Sequence, residues 1–229
     1  MSDYSYENPS PRFRMLGDLY REMHEKGTRD AGAGKSGANT FPGGSLLQHI
    51  ATVEKLARHT GARSILDYGS GKGVLYQQEN LKLPDGRAIP SVKAFWGVDD
   101  IRLYDPGVEE HAARPQGRFD GLVSTDVLEH IPEEDIDWVL GECFAFARKF
   151  VYMNIASYPA QKVLPNGWNA HITIKSPEWW RDRVEKAASN WDGMAYVFEV
   201  SEKRKGFVGN LVRRLGGGRY KLTRIESWR

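Results

Sequence analysis

The sequence predicts an α/β fold, a single domain on a mixed, mostly parallel sheet with helices on both faces and a C-terminal antiparallel strand. Three observations predict it. Short apolar runs alternate along the chain with longer segments whose apolar residues recur at helical spacing, the pattern of a doubly wound sheet. One such run, Ser64-Ile65-Leu66-Asp67, passes directly into alternating glycines, Gly69, Gly71 and Gly73, a strand-to-turn junction of the kind open α/β sheets use to admit a ligand. The last two runs, Met194 to Val200 and Tyr220 to Glu226, read as a closing pair of strands, one of them antiparallel.

Size and composition bound the alternatives. The chain has 229 residues, enough for one large core, and no composition shift marks a second. We read residues 1–40 as an N-terminal arm that could fold as a lid, and 41–229 as the domain. A formal net charge of +2 gives no argument for nucleic acid or a membrane surface. Cys143 is the single cysteine, which excludes an internal disulfide and suits a reducing compartment. Neither a signal-peptide core in residues 1–14 nor an apolar run of the ~20 residues a membrane span needs is present, so the expected location is the cytoplasm.

Taken in order, the spacing of Met15, Leu16, Leu19, Tyr20 and Met23 predicts a helix over Arg12 to Lys26, ended by Gly27. Gly32-Ala33-Gly34-Lys35-Ser36 has the look of a phosphate loop, but Arg29 stands where its first glycine should be and no strand precedes it. It reads as a connection. Leu46, Leu47, Ile50, Val53, Leu56 and Ala57 predict a second helix with Ser45 as N-cap and Gly61 as stop. Beyond the glycine loop, Val74 to Leu81 is expected to continue as a short helix presenting its free N–H groups to the ligand, and Leu83-Pro84-Asp85-Gly86 is a turn. Ile101 to Tyr104 reads as the second strand, closed by Asp105-Pro106-Gly107. Phe119 to Ser124 is the next buried strand, and so little chain separates it from Asp105 that a third strand with its helix must be shortened or absent. Ile136, Val139, Leu140, Cys143, Phe144 and Ala147 mark a helix within Glu133 to Arg148, and Phe150 to Ala156 a fifth strand. After a polar and aromatic insertion, Ser157 to Ser176, Ser176 caps a helix that opens with Pro177. Basic residues concentrate in Lys203 to Arg214 and Arg219 to Arg229, read as a solvated surface or a patch for an anionic substrate.

The glycine loop discriminates between ligands. A dinucleotide fingerprint needs a small residue at position 74, which is Val74, and a Walker loop needs Lys-Ser/Thr after Gly73. What remains, hydrophobic-Asp-x-Gly-x-Gly-x-Gly, resembles the first motif of class I S-adenosylmethionine-dependent methyltransferases. Thr125-Asp126-Val127-Leu128-Glu129-His130-Ile131-Pro132 resembles the Asp-x-Leu-Glu-His stretch that follows the fourth strand in many of them. The resemblance covers Leu46 to Trp180 and implies a Rossmann-like domain that binds S-adenosyl-L-methionine. It implies that Gly69, Ser70, Gly71 and Gly73 approach the methionine part and that Asp67 fixes the loop. Asp105, with Asp99 as the alternative, would hold the ribose hydroxyls, and Thr125 and Asp126 would line the methyl side.

A sulfonium methyl is already activated, so the protein must bind it, exclude water and aim a nucleophile in line. A hydroxyl nucleophile also needs a proton acceptor, for which histidine is suited near neutral pH. His171, in the insertion, is our candidate base, and His130 the second choice or orienter. Asp126, Glu129, His130 and His171 also resemble, in order and spacing, the Glu-x-x-Glu-His plus distant His set of small-RNA 3′-terminal 2′-O-methyltransferases. That resemblance implies a divalent cation such as Mn or Mg and an RNA ribose as acceptor. The balanced charge and the amide and aromatic content of Ser157 to Ser176 favour a small-molecule or sugar hydroxyl over nucleic acid. A catalytically inactive cofactor-binding scaffold is the reading from another class.

Overall fold

The computed structural model describes residues 4–27, 36–37, 40–204 and 220–228. Strands β1 (Ser64–Tyr68), β4 (Asp100–Tyr104), β5 (Phe119–Thr125), β6 (Ala147–Ser157), β7 (Ala195–Lys203) and β8 (Tyr220–Ser227) form one six-stranded sheet in the order β4-β1-β5-β6-β7-β8. All neighbours are parallel except β7 and β8, which pair antiparallel from Tyr196 opposite Ser227 to Lys203 opposite Tyr220. The fold is Rossmann-like.

Side chains alternate between the faces because the strand period is two. Ile65, Val123, Phe150 and Tyr152 turn to one side, where α2 (Ile50–Thr60) and α3 (Val92–Trp96) cover them. Leu66, Leu122, Val151 and Met153 turn to the other, against α4 (Ile136–Phe146) and α5 (Pro177–Ala188). Each fully buried aliphatic side chain contributes about 1.5–3 kcal/mol, so strands apolar on both faces are stable only when covered by helices on both.

The sheet also explains where a site can lie. From β1 the chain passes to β4 on one side and then to β5 on the other, so the connections diverge at the C-terminal end of β1 and leave a crevice there. No strand lies beyond β4 among the described residues, as the short interval before Phe119 predicts; residues 105–118 return through one 3₁₀ turn, Glu109–His111.

Three local expectations are corrected. Val74 to Leu81 is not a helix: one 3₁₀ turn, Val74–Gln77, is followed by Asn80 at φ 54° and a small hairpin, β2 (Leu81–Lys82) and β3 (Ala88–Ile89). Pro84, Asp85 and Gly86 form the hairpin's turn, and this early stop leaves no helix N-terminus aimed at a ligand. Second, the helix expected from Leu46 begins as a 3₁₀ turn, Gly44–Gln48, and becomes α-helical at Ile50. Ser45 is accordingly no N-cap; its hydroxyl hydrogen-bonds Thr125 Oγ1 at 3.2 Å. Third, Asp99 sits at the opposite end of β4 from the crevice, paired with Arg63.

The N-terminal helix α1 (Pro11–Lys26) is docked. Ser10 caps it by accepting from Phe13 N, and the Ser10 N–H donates to buried Asp135 at 3.0 Å, while Trp138 Nε1 donates to the same carboxylate at 2.7 Å. Leu16 and Met23 share a small core with Leu164 and Ala170 of the 157–176 insertion. Residues 28–35 and 38–39, which contain most of the phosphate-loop look-alike, and most of the basic run after Lys203 lie outside the described residues.

Candidate functional site

A cavity of about 660 Å³ opens at the C-terminal end of β1, between the sheet edge and a roof made by α1, Phe41 and the insertion. Its floor is the ends of three strands: Tyr68 and Gly69 after β1, Asp105 after β4, and Thr125, Asp126 and Val127 at the end of β5. His130 and His171 stand at the same cavity. The sequence-expected residues Gly69, Gly71, Asp105, Thr125, Asp126, His130 and His171 therefore meet, although they span more than a hundred positions. Asp67, Ser70 and Gly73 do not border it.

The glycines have a reason of their own. Gly69, Gly71 and Gly73 all have positive φ, 83°, 56° and 58°. A Cβ on Gly69 would lie 2.3 Å from Val127 Cγ2, on Gly71 2.4 Å from the Phe41 carbonyl oxygen, and on Gly73 2.4 Å from Leu103 Cδ1. The space where each Cβ would stand is thus filled by the protein. Residues 41–42 lie on the loop, where Lys72 N donates to Phe41 O at 3.0 Å and Val74 N to Pro42 O at 3.1 Å. Only backbone faces of Gly69 and Gly71 reach the cavity.

Asp105 points into the crevice. Its Oδ2 accepts from Gly71 N at 2.9 Å and its Oδ1 from Gly107 N at 2.8 Å, leaving each oxygen a lone pair, side by side. Asp67, by contrast, is buried behind the loop: Oδ2 accepts from Tyr76 O–H at 2.7 Å and Oδ1 has no partner among the described residues. Burial pushes its carboxyl up to about 7, against the pull of the Tyr76 bond and with a further push from Asp105.

The second half of the cavity is built around two imidazoles, ring centroids 4.9 Å apart. His130 Nδ1 lies 2.8 Å from Ala170 O, and His171 Nδ1 2.6 Å from Tyr158 O. A carbonyl only accepts, so Nδ1 carries the proton on both rings and Nε2 keeps its lone pair. Tyr20 reinforces this from α1, its O–H donating to Ala170 O at 2.9 Å with His130 Nδ1 at 2.7 Å. Burial, and then the neighbouring imidazole, pull His130 down to about 3; burial also lowers His171. Both rings are neutral at physiological pH.

Glu129 is fully buried beside them. Its Oε1 accepts from Ala156 N at 2.9 Å, Oε2 has no partner among the described residues, and burial, then Asp126, push it up to about 8. One ligand atom each from Glu129, His130 and His171 lie within 4.8 Å of one another. A carboxylate and two neutral imidazoles, each with its other ring nitrogen tied to a carbonyl, fit a divalent cation, and the imidazoles favour Zn²⁺ over Mg²⁺. Among the described residues Asp126 is not part of this set; its Oδ1 accepts from Asn154 Nδ2 at 3.0 Å, and its φ is 55°.

Tyr20 and His24 border the site too; the sequence reading took Tyr20 as an apolar-face position of the helix and gave His24 no role. His24 borders the cavity near Asp105 and packs on Phe41, with ring centroids 4.8 Å apart and the planes tilted by 39°. No family model matches this chain, and comparison with curated proteins and with solved structures finds no match. No helix among the described residues is long and apolar enough to cross a membrane.

Proposed function

We propose that this chain is an S-adenosylmethionine-dependent methyltransferase acting on a hydroxyl of a small molecule or sugar. One observation carries the reading: a single cavity at the sheet's switch point has a diol-sized pair of carboxylate lone pairs at Asp105 on one side and two lone-pair-bearing imidazoles on the other. A volume of about 660 Å³ falls within the usual range for a small-molecule site.

In this reading Asp105 accepts both ribose hydroxyls, the backbone of Gly69 and Gly71 lies along the methionine part, and Thr125 and Asp126 line the methyl side. S-adenosyl-L-methionine held there would supply an activated methyl group, which an in-line acceptor oxygen would take as the carbon–sulfur bond breaks and its electron pair returns to sulfur. The hydroxyl proton passes to His171 Nε2, which the Tyr158 carbonyl holds in the accepting tautomer. Orientation supplies up to about 7–11 kcal/mol of the barrier in well-aligned cases, and the base a further ~10²–10⁴-fold.

The Glu129–His130–His171 cluster favours a second version of the same chemistry. A divalent cation held there would lower the acceptor hydroxyl's pKa, and His130 and His171 would then be ligands instead of bases.

Calorimetric titration with S-adenosylhomocysteine tests the first step: saturable binding that raises the melting temperature is expected, and no binding refutes the reading. Activity on a panel of alcohols, sugars and RNA, with and without chelator and added Mn²⁺, separates the two versions. Binding without transfer to any acceptor would leave the cofactor-binding scaffold.

A further inference from the structure

We propose that α1 is the wall against which the adenine ring of the cofactor lies, and that Gly17 is the residue whose missing side chain keeps that slot open. The inference rests on the methyltransferase reading above and extends it to a part of the chain that lies outside both motifs.

The outer side of the cavity has no strand or helix following β4 to close it, since residues 105–118 return at once to β5. The helix that closes it is α1, which lines the cavity with Phe13, Gly17, Tyr20 and His24, one every turn. This wall is preformed. Asp135 holds its start through Ser10, Phe13 packs on Trp138 with ring centroids 5.2 Å apart, and the Tyr20 O–H bonds the Ala170 carbonyl.

Neither backbone strain nor a close contact among the described residues calls for glycine at position 17. It sits mid-helix, where glycine is less stable than alanine, and a Cβ there would meet nothing within 4 Å. Its φ is not positive, and it borders the cavity. Space is what the missing side chain supplies. The same cavity is bordered by Val127, Ile131 and Pro132, apolar side chains that suit the face of a flat ring. Asp105 and Gly107 border the same cavity, where His24 of α1 lies against Gly107, so a base attached to a ribose held by Asp105 would extend along α1 away from His24, toward Gly17.

The test titrates S-adenosylhomocysteine and 5′-methylthioadenosine, which lacks the amino acid, onto the full chain as wild type, Gly17→Ala and Gly17→Leu. Gly17→Leu is expected to weaken both ligands by about tenfold or more with a melting temperature equal to or above that of wild type, and Gly17→Ala to weaken them only slightly. Gly17→Met reads the same obstruction should the leucine variant fail to fold. Gly141→Ala on α4, another helical glycine whose Cβ would meet nothing within 4 Å, is the control and leaves binding unchanged. Unchanged affinity in a folded Gly17→Leu or Gly17→Met variant overturns the proposal, as does loss of S-adenosylhomocysteine alone, which would put the amino acid in the slot. Wild type that binds neither ligand overturns the methyltransferase reading, and the slot's assignment with it.

Discussion

Replacing Asp105 tests the cofactor assignment most directly. In the free protein its carboxylate accepts two backbone N–H bonds, from Gly71 at 2.9 Å and Gly107 at 2.8 Å, and so ties the glycine loop to the end of β4. Hydrogen bonds to a charged acceptor contribute about 1.5–3 kcal/mol each when dry. Asp105 is half-buried at the cavity mouth, so water can replace the lost acceptor, and Asp105→Ala should cost folding only about 1–2 kcal/mol. The cofactor loses more: two ribose hydroxyls without their acceptor amount to about 3 kcal/mol, or ~100-fold in Kd. Asp105→Asn keeps one acceptor oxygen and should fall between, at about tenfold. Isothermal titration with S-adenosylhomocysteine reads the affinity, and urea unfolding of the same samples reads the stability. A Kd within threefold of wild type for a folded Asp105→Ala protein would refute the placement of the ribose.

Three further outcomes follow from particular contacts. Asp67 has its folded pKa raised to about 7 by burial, so its contribution to stability is full below its unfolded value of 3.8 and is lost as pH rises through about 7. Asp67→Asn, which can still accept from Tyr76, should be more stable than wild type above pH 7 in thermal melts and should lose that advantage toward pH 4; parallel profiles would contradict the burial argument. Glu199 has the opposite sign: burial pushes its carboxylate up, but bonds from His49, Tyr152 and Arg224 outweigh this and hold it at about 2. Its stabilisation is present above 4.5 and lost as pH falls through about 2, so the deficit of Glu199→Gln relative to wild type, of order 1–3 kcal/mol at pH 7, should shrink in acid unfolding curves. Gly69→Ala should cost about 2–4 kcal/mol in urea unfolding, from its positive φ and the Val127 clash, whereas Gly61→Ala, at φ 60° with nothing within 4 Å, should cost only about 1–2 kcal/mol. Val127→Ala in the same chain should recover part of the Gly69→Ala loss, and equal costs at the two glycines would disprove the clash.

Legibility followed the range of the interaction. Ser176 was readable as a cap because its side chain accepts from Trp179 N, three residues on, and α5 begins at Pro177 as that motif dictates. The β1 strand, the β5 strand and the closing β7–β8 pair were readable because apolar runs between turn residues carry their own length and period. The segment after Gly73 was misread because Val74 to Leu81 has no residue that breaks a helix by composition. In the fold the turn ends at Gln77, with Gln78 already extended and Asn80 left-handed, and Tyr76 is tied to buried Asp67. The role of Glu129 was only partly readable: its order before His130 is visible in the sequence, but the unpartnered buried oxygen is visible only in the fold.

By itself the sequence determined the α/β class, the number and placement of the long elements, the break after Asp105 and the absence of room for another strand. All of these depend on backbone preferences and periodicity within a few residues. Only the tertiary structure decided that α1 closes the cavity, that Tyr20 meets His130 across 110 positions, and that Val127 and Phe41 fill the space where a Cβ on Gly69 or Gly71 would stand. Such contacts arise from packing the roof onto the sheet edge, and no local propensity registers which distant side chain will occupy a given gap.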